Sequence, residues 1–160
     1  MIQSTKLPFG KDFNVNSEIP VDQIDAYFNE IEKPCHALRP LTYTAVLVNK
    51  GDFITLDADI DVGLEHDCDR CGQSFTRDYK LHLSLKLADA SSLSKSDEID
   101  LTEEDLDVVT FNSPNIDLNA ILLESIYLEM DEPCLCREDC LGICANCGQN
   151  LNLGSCKCSF

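Results

Sequence analysis

Ile54-Thr-Leu-Asp-Ala-Asp-Ile-Asp-Val62 is the stretch on which the fold turns. Ile54, Leu56, Ala58, Ile60 and Val62 alternate with Thr55, Asp57, Asp59 and Asp61, a strict period of two. Only a β-strand with one buried and one solvated face places such residues consistently. Working outward, Asn49-Lys-Gly-Asp52 reads as a turn, and Thr42–Val48 before it is β-branched and aromatic, a second strand. On the other side Tyr79, Leu81, Leu83, Leu85 and Leu87 alternate with Lys80, His82, Ser84 and Lys86, a third half-buried strand. An antiparallel sheet follows as the centre of the fold.

Around it lie two helical patterns. Val21, Ile24, Phe28 and Ile31 recur at spacings of three and four, with Pro34 as the stop. Asp117 reads as the N-cap of a helix from Leu118 to about Met130, apolar around much of its circumference and so expected to pack on the sheet. Residues 1–20 read as a short strand followed by a loop, punctuated by Pro8, Gly10 and Pro20. The Ser/Asp/Glu-rich residues 89–106 read as a mobile loop and Asp107–Phe111 as a short strand. The expectation is an α+β domain over residues 1–132, with one or two packed helices, and a cysteine-rich, zinc-stapled tail over 133–160.

The chemistry of the chain lies in its ten cysteines. Cys68-Asp-Arg-Cys71-Gly72 and Cys144-Ala-Asn-Cys147-Gly148 are both CxxCG, and Cys156-Lys-Cys158 follows near the end. Two intervening residues let both sulfurs reach one tetrahedral ion, and the glycine can take the positive φ that folds the backbone under them. Cys144, Cys147, Cys156 and Cys158 make a self-contained set, because Gly148–Ser155 is rich in turn formers. Four sulfurs with no vacancy describe a closed, structural zinc site. Cys68 and Cys71 need two further ligands, and Cys136 and Cys140 are the nearest unused pair after the last helix. Cys134 or His66 could replace one of them, and Cys136/Cys140/Cys144/Cys147 is a competing local set; spacing leaves these open, and with them a count of one ion or two. Cys35 reads as an ordinary small buried thiol.

Other chemistry finds little support. A dithiol redox motif would open a helix after a strand, whereas Cys71 is followed by Gly-Gln-Ser-Phe and another strand. Catalytic zinc needs an open position and a nearby base. His36, His66 and His82 are scattered, and no HExxH, phosphate-binding glycine loop or G-x-S-x-G occurs. No enzymatic activity is expected, and no small-molecule substrate is evident.

Composition sets further bounds. A chain of 160 residues can hold a real core, so zinc is not needed to rescue the whole fold. The opening residues lack a basic stretch followed by an apolar one, and no apolar run approaches a membrane span. With so many cysteines, this implies reduced thiols and a cytoplasmic protein without membrane association. Twelve Lys+Arg against 29 Asp+Glu give a net charge of −17. Each zinc with four thiolates adds a further net −2, so two sites bring the total to about −21. Such a surface repels phosphates, on whose neutralisation nucleic-acid affinity largely rests. A basic protein partner is the better electrostatic match. Arg70 and Arg77 beside the first knuckle, with Lys80 and Lys86 on the next strand, are the candidates for a small local RNA contact. The competing reading has them salt-bridged to Asp67, Asp69 and Asp78.

Several motifs together resemble a known family. They are C-x-R-C-G-x-x-F (Cys68, Arg70, Cys71, Gly72, Phe75), the acidic loop, the helix pattern Asp117, Leu118, Glu124, Ile126, Leu128, and the tail Cys136, Glu138, Asp139, Cys140, Gly142, Cys144, Cys147, Gly148, Asn150, Leu151, Asn152, Cys156, Cys158. These are similar to the YceD-type large-ribosomal-RNA accumulation proteins of bacteria and plastids, over most of residues 50–158; the first 40 residues match only loosely. The resemblance implies a role in making or maintaining large-subunit ribosomal RNA, with no established catalytic activity. It also implies the pairing Cys68/Cys71/Cys136/Cys140, because some members keep the CxxC but carry a His and a Cys near the positions of Cys136 and Cys140. The last four cysteines would then form an independent, dispensable second site. The expected protein is thus a non-enzymatic ribosome-assembly factor acting through basic ribosomal or assembly proteins. The rival is a zinc- or redox-responsive regulator.

Overall fold

The computed structural model describes residues 1–33, 35–93, 108–130 and 132–158. In chain order the elements are β1 (Ile2–Gln3), a 3-10 turn (Ser4–Lys6), β2 (Asp12–Ile19), α1 (Val21–Glu30), β3 (Cys35–Ala37), β4 (Leu41–Asn49), β5 (Ile54–Asp67) and β6 (Ser74–Asp89). There follow α2 (Ala90–Leu93), β7 (Val108–Phe111), β8 (Asn115–Ile116), α3 (Leu118–Glu129) and a 3-10 turn (Leu151–Leu153). The main sheet runs β2-β4-β5-β6-β7, and β1 pairs with β8 as a separate two-stranded ribbon. All pairs are antiparallel except β6 with β7. The architecture is α+β on a largely antiparallel sheet, as the alternating stretches imply.

The spine is the β5–β6 hairpin, paired without a break from Ile54↔Leu87 to Asp67↔Ser74. β4 covers β5 only as far as Asp61, and β3 takes over its row from Leu64 to His66. The inward residues Leu41, Tyr43, Ala45 and Leu47 of β4 and Ile54, Leu56, Ala58, Ile60, Val62 and Leu64 of β5 are buried. Ile24 and Phe28 of α1 and Leu118, Ile121, Leu122, Leu123 and Ile126 of α3 join them in one core. Asp117 caps α3 as expected, its carboxylate accepting from the Ala120 amide at 3.1 Å. Among the described residues no helix is long and apolar enough to cross a membrane.

One strand lies where sequence reasoning places loop, and another, β3, where it assigns nothing. β2 occupies most of the second half of residues 1–20, paired with β4 over its full length. Asp12, Asn14, Asn16, Ser17 and Glu18 are exposed on this edge strand, and only Ile19 is fully buried, so apolar patterning hardly marks it. β3 is too short for periodicity. β6 begins at Ser74, before the expected Tyr79, and Asp89–Leu93 complete β6 and form α2. Residues 94–106 of the expected loop, Asp107 and the stop residue Pro34 lie outside the described residues.

Candidate metal centre

The long β5–β6 hairpin ends in the first knuckle. The Cys68 amide donates to the Gln73 carbonyl at 3.0 Å, and the Gly72 amide to the Cys68 carbonyl at 2.8 Å. Gly72 sits at φ 67°, which a residue with a Cβ adopts only under strain. The second knuckle repeats this bond for bond: Cys144 amide to Gln149 carbonyl at 2.8 Å, Gly148 amide to Cys144 carbonyl at 2.9 Å, Gly148 at φ 71°. The repeated unit is therefore CxxCGQ.

In each knuckle the backbone favours a thiolate. Burial opposes ionisation of Cys68, yet the amides of Cys136, Arg70 and Cys71 outweigh it and bring the thiol down to about 6. At Cys144 the amides of Cys147 and Asn146 lead, with the same result of about 6. Metal ligation by cysteine requires this ionised form.

The tail brings the partners. Cys140 Sγ lies 3.8 Å from Cys68 Sγ, and Cys136 Sγ lies 3.8 Å from Cys71 Sγ. An ion bound at about 2.3 Å by four thiolates at tetrahedral corners spaces the sulfurs about 3.8 Å apart. Among the described residues, two groups have four ligand atoms all within 4.8 Å of one another: Cys68, Cys71, Cys136 and Cys140, and Cys144, Cys147, Cys156 and Cys158. Either could hold a metal ion. The first is enclosed, with only Cys136 half-buried; the second is open to solvent at Cys147.

The groups left open by spacing resolve accordingly. The local set Cys136/Cys140/Cys144/Cys147 does not converge. His66 is buried and its Nε2 lies 3.1 Å from the Tyr79 hydroxyl. Burial, followed by the charges of Arg77 and Lys33, lowers the imidazole below its ordinary value. Cys134 is buried outside both tetrads, where its backbone and Asp69 bond reciprocally: the Cys134 amide to the Asp69 carboxylate, and the Asp69 amide to the Cys134 carbonyl at 2.9 Å. Cys35 is a buried thiol, pushed up to about 12 by burial.

The four basic candidates separate into two pairs. Arg70 donates to the Cys140 carbonyl at 2.8 Å and packs where a Cβ on Gly142 would sit 3.0 Å from its own carbonyl oxygen. Arg77 donates to the Leu135 carbonyl at 3.3 Å and lies over the Phe75 ring. Both arginines thus clip the tail to the knuckle. Lys80 stands 4.0 Å from Asp61 on the outer sheet face, and Lys86 lies over the Phe53 ring. The acids expected to neutralise them are engaged elsewhere: Asp78 with Arg39 at 3.1 Å, Asp67 with the Ser74 hydroxyl, Asp69 with Cys134. Sequence reasoning gave no site role to Asn152, quoted only within the tail motif, which donates to Cys140 Sγ at 3.3 Å. Its only sequence mark is the Asn-Leu-Asn that follows the second knuckle.

A family model described as "Large ribosomal RNA subunit accumulation protein YceD" matches residues 56–160, more than half of the chain and both tetrads. No curated protein and no solved structure matches the chain.

Proposed function

The chain belongs to the large ribosomal RNA subunit accumulation protein YceD family, and from that premise we propose that it is a non-enzymatic factor supporting large-subunit ribosomal RNA through protein partners. The family match carries this reading. In it, zinc occupies both tetrads, since four thiolates at tetrahedral spacing suit a closed structural site with no position left for a substrate. The ions supply rigidity: the first fixes the tail to the hairpin, and the second shapes the loop beyond it.

Charge points to the mode of contact. A net charge of −17 repels phosphates at long range, while Asp57, Asp59 and Asp61 line the outer face of β5. Basic ribosomal or assembly proteins are the matching partners. With Arg70 and Arg77 occupied at the tail, any direct RNA contact falls to Lys80 and Lys86 and is minor. The exposed second tetrad favours one rival, a zinc- or redox-responsive regulator working through that site.

Gentle affinity capture followed by sucrose-gradient sedimentation, with and without RNase, separates these readings. We expect comigration with large-subunit precursors together with basic ribosomal proteins. Sedimentation only as free protein, with no ribosomal protein captured, would overturn stable assembly binding and favour the regulator.

A further inference from the structure

The loop between Cys147 and Cys156 holds Asn152 in the middle of its 3-10 turn, and this side chain reaches out of its own cluster into the other. The amide nitrogen lies 3.3 Å from Cys140 Sγ, a member of the first tetrad. The amide oxygen accepts from the Leu141 backbone at 2.8 Å and from the Arg137 guanidinium at 2.9 Å, within and just after the Cys136–Cys140 turn. Both of those partners can only donate, so the oxygen faces them and the NH2 group faces the sulfur. The second hydrogen of that NH2 goes to Asn150 Oδ1 at 2.8 Å, which also takes the Asn152 backbone amide at 2.9 Å. No polar atom of the amide is left over. The turn itself is held by the Leu151 amide on the Gly142 carbonyl at 2.9 Å and by the bridge between Ile143 and Asn150. A loop closed by one set of four cysteines therefore delivers an N–H···S hydrogen bond to a ligand of the other.

We infer that the two metal sites are coupled through Asn152, so that an ion at Cys144/Cys147/Cys156/Cys158 strengthens the hold of Cys68/Cys71/Cys136/Cys140 on its own. The inference rests on reading both tetrads as metal sites. A filled second site fixes the loop and keeps the donor on Cys140; an empty one lets the turn fray and the sulfur lose its hydrogen bond. Partners of this kind typically change metal affinity about 10- to 100-fold. Linkage requires the effect to be reciprocal, the first ion tightening the second by the same factor. Asn152 touches no metal in this scheme; it is a positioning residue.

The test uses the full chain loaded with zinc, ion counting by native mass spectrometry, and release timed with a chromophoric chelator. Wild type should hold two ions and Cys68→Ser one; a wild-type count of zero would sink the metal reading and the coupling with it. Asn152→Asp keeps the acceptor for Leu141 and Arg137 and removes the donor to sulfur; Asn152→Ala removes both. Each should keep the fold and release the first-site ion about tenfold faster or more. Cys144→Ser should accelerate that release to a similar degree, and the double variant with Asn152→Ala no further. In the cobalt-loaded protein the sulfur-to-metal charge-transfer band of the first site should move to lower energy in Asn152→Ala, a change that loop packing alone does not produce. Unchanged release and an unmoved band, with two ions still bound, would overturn the coupling while leaving the metal sites standing. Additive effects in the double variant would overturn it too.

Discussion

Cys68→Ser is expected to detach the tail from the sheet, lowering the zinc count from two to one and stripping amide-exchange protection from residues 132–145 while β4, β5 and β6 keep theirs. Cys68 is only 3% exposed, so serine leaves three thiolates and a poor oxygen donor in an enclosed site. Structural zinc in small peptides is worth about 10–16 kcal/mol of apparent binding energy. The cross-link also closes a 65-residue separation between Cys71 and Cys136, a loop whose opening restores about 4 kcal/mol of chain entropy if a metal clip behaves as a disulfide does. Other attachments among the described residues include the Asp69–Cys134 pair, Arg70 to the Cys140 carbonyl, Arg77 to the Leu135 carbonyl, and Lys33 to Glu132 at 2.9 Å. At about 1 kcal/mol each or less they do not replace the ion. Cys144→Ser also loses one ion, but its loss of amide protection should begin after Cys140, because the first tetrad uses no later ligand and keeps its ion, though it releases that ion faster. Tail amides as protected in Cys68→Ser as in wild type would show that the ion is not the staple.

Phe28→Ala should do the reverse, weakening the sheet while the folded protein still binds two ions. Phe28 is completely buried, on the face of α1 that packs into the same core as Leu47, Leu56 and Leu122. Removing such a ring leaves a cavity and costs about 3–5 kcal/mol, a fall in Tm on the order of 10 °C for a chain of this size. The tetrad forms its own small cluster, Cys68, Cys71 and Cys140 with Phe75, Leu135 and Cys136 beside it. Among the described residues its buried members are distinct from those of the sheet core, and His66 stands between the two, against Phe75 on one side and Tyr79 on the other. Zinc loss well before sheet unfolding in this variant, or a stability loss below about 1 kcal/mol, would contradict a metal-independent core.

What could be read from the sequence follows the strength of its periodicity. β4, β5 and β6 were legible because one face of each is more buried than the other, fully on β4 and β5 and half-buried at Leu81, Leu83 and Leu85 on β6, which writes alternation into the chain. β2 was not, because its edge position lets Asp12, Asn14 and Asn16 stand in solvent at little penalty. The knuckles were legible for a local reason: CxxCG fixes two ligands and a turn within five residues. The local set Cys144/Cys147/Cys156/Cys158 was legible in the same way, but the partners of Cys68 and Cys71 were not, since spacing identifies pairs but not which distant pair the chain topology delivers. It takes the β5–β6 hairpin and the end of α3 to bring Cys136 and Cys140 to Cys68 and Cys71. The arginines show the same limit, their charge being visible while their partners, the carbonyls of Cys140 and Leu135, carry no side-chain signature.

The most direct test of the functional account is the ratio of large- to small-subunit ribosomal RNA in cells from which this protein has been removed. The ratio should fall, and re-expression of the wild-type chain should restore it. An unchanged ratio under growth conditions in which the protein is normally present would contradict the account.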